Sequence, residues 1–277
     1  MARQRTAPNR IAPVAALALI AWIGGRAQEA RTPDAAEQQR LLTAMRSYAE
    51  QYVVNLPNFI CEQVTRQYEA GRKPKGWRRG DVLLFKLLFS NGEEQRNLEL
   101  VNDQPIRPGI RRWRAPLSTQ GEFGVILANI FSSASDSTFG WNGWQVIRGK
   151  RVAVFDFAID REHSTLTLSL SDLAKAVVPY HGSVYGDPES GVIWRITDAA
   201  VDLPKELDTK SIATAIDYDN VPIGGKTYSL PVNASIWLTT DSSNIRNELE
   251  FRNYRKFETD SVIKYASAED AAGPPRY

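Results

Sequence analysis

His163 and His181 are the only imidazoles in this chain of 277 residues, and Cys61 is the only thiol. That inventory narrows the available chemistry. In GSVYG, Ser183 stands beside the first glycine, not at the centre of the G-x-S-x-G elbow that presents a nucleophile. His163 lies in DREHST, which reads as a charged turn between strands, and His181 lies in VPYHGSVYGDPESGVIWRIT, which reads as a hairpin. There is no cysteine pair and no H-x-x-x-H spacing for a zinc site. Asp217 and Asp219 in IDYDN are the best candidates for a hard cation, but the other positions of a calcium loop are missing, so they read as strand-end residues. IGGKTY matches the end of a phosphate loop, yet Asn220 stands where the first glycine belongs, and Tyr228, Leu230 and Val232 alternate as a strand. No metal or cofactor is expected. A carboxylate-dependent hydrolase would need two of the 32 acidic residues to converge, and no spacing singles out a pair.

These residues depend on a scaffold whose first element is not structural. Arg3, Arg5 and Arg10 precede an apolar run from Ile11 to Ile23, broken only by Pro13, and Gly25-Arg26-Ala27 places small residues at the −3 and −1 positions of a cleavage site. Residues 1–27 are therefore expected to be a signal peptide that sends the chain to the periplasm or outside the cell. The run is shorter than the roughly 20 residues a membrane-spanning helix requires, and no later stretch could span a bilayer. With four arginines assigned to the signal, 30 basic residues face 32 acidic ones, so no global field draws the rest of the chain to nucleic acid. One cysteine excludes an internal disulfide; Cys61 is either a buried thiol or an intermolecular partner.

The clearest element is a helix in TPDAAEQQRLLTAMRSYAEQYVVNLP. Thr32 can cap it, Pro33 suits its first turn, and Pro57 stops it. Leu41, Leu42, Met45, Tyr48, Ala49, Tyr52 and Val53 form one apolar stripe suited to lying on a sheet. Strand signals then dominate, with hairpin turns expected at Asn91-Gly92, Gly149-Lys150, Gly224-Gly225 and Asp187–Gly191. STLTLSL turns Leu166, Leu168 and Leu170 to one face. A second helix is expected in STQGEFGVILANIFSS, where Thr119 and Glu122 have capping-box spacing and Phe123, Ile126, Leu127, Ile130 and Phe131 make the apolar face; SSASDSTFGWNGW reads as a loop. In RNELEFRN, Asn247, Leu249, Phe251 and Asn253 oppose Arg246, Glu248, Glu250 and Arg252 on a wet face. In the hairpin around 187–191, Val178, Tyr180 and Val184 share a face, Val192, Trp194 and Ile196 share a face, and His181 points to solvent.

The pattern gives a mainly β (α+β) protein: a curled antiparallel sheet or half-open barrel of about ten strands, with an N-terminal amphipathic helix and one inserted helix. Residues 28–266 read as one domain and residues 267–277 as a disordered tail. Two basic clusters surround tryptophans: Lys73, Lys75, Arg78 and Arg79 around Trp77, and Arg107, Arg111, Arg112 and Arg114 around Trp113. Each reads as a solvated loop or as a surface for anionic lipid. A curled sheet closed by helices can hold apolar cargo, with Trp194, Trp237, Trp144, Phe123, Ile126 and Leu127 as the candidate ligand-binding residues, or the same residues can equally fill a solid core.

DPESGVIWRITDAAVDLP followed by IDYDNVPIGGKTYSLP resembles the late hairpins of the LolA/LolB-like lipoprotein-carrier fold, shared with the RseB sensor domain. NLPNFICEQVTRQY, STQGEFG and RNELEFRNYRKF are similar to a group of uncharacterised exported bacterial proteins. The first resemblance implies an apolar groove for acyl chains and no catalysis. The expected function is an exported, non-enzymatic module that binds an acyl chain, lipid or apolar peptide in the sheet's groove. The alternatives are an envelope protein-interaction or sensor domain and, behind it, a carboxylate-dependent hydrolase.

Overall fold

The computed structural model describes residues 31–71, 76–106, 122–169, 175–207 and 209–257. The expected signal peptide and tail, the cluster around Trp113, Lys73, Lys75, Thr119 and Leu170 lie outside the described residues. Helix α1 spans Ala35–Asn55. Its cap is Asp34, whose carboxylate accepts the Glu37 N–H at 2.9 Å, so Thr32 and Pro33 stand before the cap. Aspartate is a strong cap, and its charge also suits the positive end of the helix dipole. Leu41, Met45, Ala49 and Tyr52 are its buried residues, the centre of the predicted stripe.

The strands are β1 (Phe59–Gly71), β2 (Arg78–Ser90), β3 (Glu93–Val101), β4 (Gln104–Pro105), β5 (Thr138–Ile147), β6 (Lys150–Ile159), β7 (Thr167–Ser169), β8 (Lys175–Val177), β9 (Tyr180–Gly186), β10 (Ile193–Ala200), β11 (Thr209–Ile223), β12 (Lys226–Thr240) and β13 (Ser243–Lys256). Helix α2, Val125–Phe131, precedes β5. Eleven of the described strands form one antiparallel sheet, ordered β4-β3-β2-β1-β13-β12-β11-β10-β9-β6-β5, with β7 and β8 paired separately. The last strand returns beside the first, and the sheet stays open, with β4 and β5 at its edges. Local turn chemistry sets four connections. Asn91-Gly92, Arg148-Gly149, Gly224-Gly225 and, between β3 and β4, Asn102-Asp103 each supply two consecutive positive φ angles, as tight two-residue hairpins require. The second turn lies one residue earlier than Gly149-Lys150, because Lys150 already belongs to β6.

Three expectations are corrected. Helix α2 begins after Gly124, not after a Thr119 cap, and Glu122 precedes it in a turn. FGWNGW is not a loop but most of edge strand β5: Phe139 and Trp141 pair with Phe157 and Phe155, whose burial outweighs the flexibility of Gly140 and Gly143. The hairpin β9–β10 forms as expected, but Val192, Trp194 and Ile196 do not share a face. A bulge between Ile193 and Arg195 inserts Trp194, so Ile193 and Ile196 enter the main core while Trp194 packs with Ile147, Val152 and Val154. His181 is exposed, as its register predicts. A second irregularity, at Asn253 with φ 57°, leaves that residue exposed and lets Tyr254 pack against the core.

The face of the sheet that carries α1 and α2 is called the inner face. Here α1 approaches the backbone at positions without side chains. A Cβ at Gly186 would stand 2.4 Å from Met45 Cε, and one at Gly191 would stand 2.2 Å from the Ala44 carbonyl oxygen. Gly191 also has φ 72°, whereas Gly225 has φ 82° with open space around it. Gly225→Ala should therefore cost only the backbone term, about 1 kcal/mol. Gly191→Ala adds a collision with helix backbone and should cost at least about 2 kcal/mol more. Parallel urea unfolding of the two variants tests the difference; equal losses would refute the close approach.

Candidate functional site

Strand parity gives the inner face two kinds of surface. Phe59, Cys61, Gln63, Thr65 and Gln67 alternate inward along β1. Opposite them on β13 stand Phe251, Leu249 and Asn247. At the first end the surface is aromatic: Phe59 stacks on Phe89 with centroids 5.0 Å apart, and Phe123 meets Phe59 at 5.2 Å and Phe251 at 5.5 Å. Tyr52 donates its hydroxyl to the Ser229 carbonyl at 2.8 Å, tying α1 to this end.

Further along, the same face turns polar. Gln67 pairs across strands with Asn247, Asn247 with Ile236, Ile236 with Thr214, Thr214 with Asp198, and Asp198 with Gly182. Gln63, Thr65, Gln67, Thr214 and Asn247 are all buried. Gln63 Nε2 donates to Thr65 Oγ1 at 3.0 Å, while Gln63 Oε1 and Gln67 Nε2 have no hydrogen-bond partner among the described residues. Asp198 is partly buried. Removal from water pushes its carboxyl up to about 7, with the Thr214 hydroxyl pulling the other way. Burial, together with the Asp198 charge, pushes the Tyr180 phenol up to about 12. A carboxyl that keeps part of its proton near pH 7 can in that form donate as well as accept a hydrogen bond.

A carboxylate pair does converge, at a place no spacing predicted. Arg96 on β3 bonds Glu94 at 3.0 Å and also bonds Glu122, which is fully buried in the turn before α2. Glu94 accepts the Phe123 N–H at 3.1 Å, and Tyr218 donates its hydroxyl to the Glu122 carbonyl. Burial and then the Glu122 charge push the Glu94 carboxyl up. Each member is held by the others, so the group acts as a clamp on the start of α2.

Other sequence candidates have structural roles. Asp217 makes a bidentate pair with Arg195 at 2.7 and 3.0 Å, and Asp219 lies 3.6 Å from Arg148. No group of three or more potential metal-ligating side chains occurs among the described residues. Ser183 donates to Asp156 at 2.5 Å. His163 bonds Asp160 at 2.9 Å in the predicted turn, a contact that raises its pKa. Cys61 is buried, which pushes its thiol up to about 12 and suits an inert group.

The six candidate ligand residues divide between the faces. Phe123 and Leu127 are buried in the inner core, with Ile126 half-buried against it. Trp144 packs against the same core from β5, with Trp141 at 5.1 Å. Trp194 lies on the outer face, its ring 3.3 Å below Lys150 Nζ. Trp237 is 40 % exposed there, because Ile236 and Leu238 take the inward positions. Sequence reasoning missed the row of Gln63, Gln67, Asn247 and Asp198. Its signal was polar residues at inward parity in otherwise apolar strands.

No protein-family model matches the chain, and no curated protein matches it. Among solved structures, the chain is similar to a putative outer membrane lipoprotein-sorting protein domain from Vibrio parahaemolyticus. That likeness has 8% identity and a TM-score of 0.44, and covers 84% of this chain and 98% of that one. A LolA superfamily protein from Nitrosomonas europaea matches at 10% identity and TM-score 0.37, covering 78% and 93%. A structure of the Pseudomonas aeruginosa MucA/MucB complex matches at 11% identity and TM-score 0.20, covering 80% and 98%. The likeness is one of fold and assigns no activity.

Two outcomes follow from this geometry. Asp198 is raised above its ordinary 3.8, so its protonated form stabilises the fold fully below pH 4, and that contribution is lost as the pH rises through about 7. Asp198→Asn should raise the melting temperature at pH 8 and change it little at pH 4; a pH-independent effect would refute the assignment. His181→Ala should shift stability by less than about 0.5 kcal/mol in urea unfolding.

Proposed function

We propose that this protein is an exported, non-enzymatic carrier or binding module that accepts an acyl chain or similar apolar ligand on the inner face of its sheet. The observation that carries this reading is a pair of buried amide atoms on the polar half of the inner face, Gln63 Oε1 and Gln67 Nε2, that have no hydrogen-bond partner among the described residues. A buried amide atom without a partner costs about 1–3 kcal/mol. A face that only packs would do better with leucine, whereas a face that meets a ligand's polar end has a use for the amides. In this reading the ligand's polar linkage meets Gln63 and Gln67, and its chain runs towards Trp144, Phe123, Ile126 and Leu127.

Phe123 and Leu127 are almost wholly buried, so entry of a chain requires α2 to shift. Helix α2 has seven residues, starts at Gly124 with φ 128° and ends at the extended Ser132, so it is the short element that would have to move as a cover. The clamp of Glu94, Arg96 and Glu122 would hold its first turn while the rest moves.

Titration with a dansyl-labelled fatty acid tests the reading. Saturable fluorescence enhancement is expected. Gln67→Leu should weaken uptake roughly fivefold while raising stability by about 1 kcal/mol, since it removes an unpartnered amide. A structural glutamine would lose stability instead, and absence of saturable uptake by the unmodified protein would refute the proposal.

A further inference from the structure

On the outer face, at the end of the sheet where β1 and β13 meet the polar half of the inner face, three neighbouring strands present Tyr68, Arg246 and Trp237 in one row. Arg79 on β2 pairs with Tyr68 and extends the row. Trp77, just before β2, leans over the same place: the Arg246 guanidinium lies 4.9 Å from the Trp77 ring centroid and 4.6 Å from the Tyr68 centroid. Trp77 is 44% exposed and Trp237 40%, whereas Trp141, Trp144 and Trp194 are buried or half-buried.

Large exposed aromatics on a sheet are costly unless something meets them. The charge of the sequence on either side of Trp77 indicates what that is. Residues 69–81 hold five cations (Arg72, Lys73, Lys75, Arg78 and Arg79) and two acids. Of these, Arg78 is engaged with Glu69 at 3.5 Å, and Arg246 in the row is engaged with Glu248 at 3.2 Å. The remaining excess is positive, and Arg79 is exposed. Tryptophan and tyrosine favour the boundary between headgroups and hydrocarbon, and each basic residue near an anionic leaflet adds about 1 kcal/mol of attraction. Arginine held between two rings keeps its charge at the surface while its flat faces are covered, so the aromatic platform and a cation are presented together.

We propose that Trp77, Tyr68, Arg79, Arg246 and Trp237 form a docking surface for an anionic lipid bilayer. The surface lies on the face opposite the proposed ligand site, so a docked protein would keep its inner face clear of the membrane. The inference stands independently of the ligand-binding reading, because none of its residues lines the inner face.

Co-sedimentation of residues 31–277 with vesicles tests it, using phosphatidylethanolamine containing phosphatidylglycerol against phosphatidylcholine alone. These residues contain every described element and leave out the apolar N-terminal run. Binding is expected on the anionic vesicles, falling as salt is raised, and weak on the neutral ones. Arg79→Glu, at an exposed position, should weaken it at least roughly fivefold, the equivalent of one lost basic contact. Trp77→Ala and Trp237→Ala should each weaken it while the variants still unfold in a single cooperative transition. All three should leave dansyl fatty-acid uptake in vesicle-free solution as it is. Equal binding to both vesicle types, or variants that bind as the unmodified protein does, would overturn the proposal.

Discussion

Met45 of α1 rests on bare strand backbone at Gly186, and Gly191 leaves room for the Ala44 carbonyl in the turn that follows. This close approach sets the height of α1 above the sheet. Leu41, Ala49 and Tyr52 are buried as a consequence, and Tyr52 reaches across to the Ser229 carbonyl on β12. The position of α2 is tied to the other end of the same helix. A Cβ at Gly124 would stand 2.2 Å from Val53 Cγ2, so the start of α2 is fitted against the last turn of α1. Close-packed interiors transmit such constraints, because no side chain between the elements can yield.

With the helices placed, the inner face divides chemically. Near Phe59, Phe89, Phe123 and Phe251 it is an aromatic core with rings in stacked, tilted and edge contact. Towards Gln67, Thr214 and Asp198 it keeps polar groups that the low-dielectric surroundings make expensive, and the elevated Asp198 pKa expresses that cost. The Glu94–Arg96–Glu122 clamp bears the same relation to α2: its charges are buried but mutually compensated, and they hold a helix too short to be stable alone.

The outer face is not uniformly wet. The bulge at Trp194 covers Val152 and Val154, so the middle of β6 is buried on both sides and reads as a continuous apolar run, VAVF, rather than an alternating one. Lys150 closes this second cluster by lying over the Trp194 ring. At the opposite end, Trp77 and Trp237 remain open, with Arg246 between the rings of Trp77 and Tyr68.

Much of the fold was legible because local rules act through adjacent residues. The stripe of α1, the paired positive-φ turns at Asn91-Gly92 and Gly224-Gly225, and the exposed position of His181 follow from period and turn chemistry. What local patterns missed depended on distant partners. FGWNGW reads as a loop until Phe155 and Phe157 pair with it, and Trp194 reads as an inward residue until a bulge changes its parity. Glu94 and Glu122 lie 28 positions apart in sequence and converge only because the turn before α2 meets β3. The sequence by itself determined most element types, the hairpins and the polarity of each position. Tertiary structure alone decided which polar positions face the interior together, because a one-residue bulge reverses a strand's faces and the energy that selects it comes from the whole sheet.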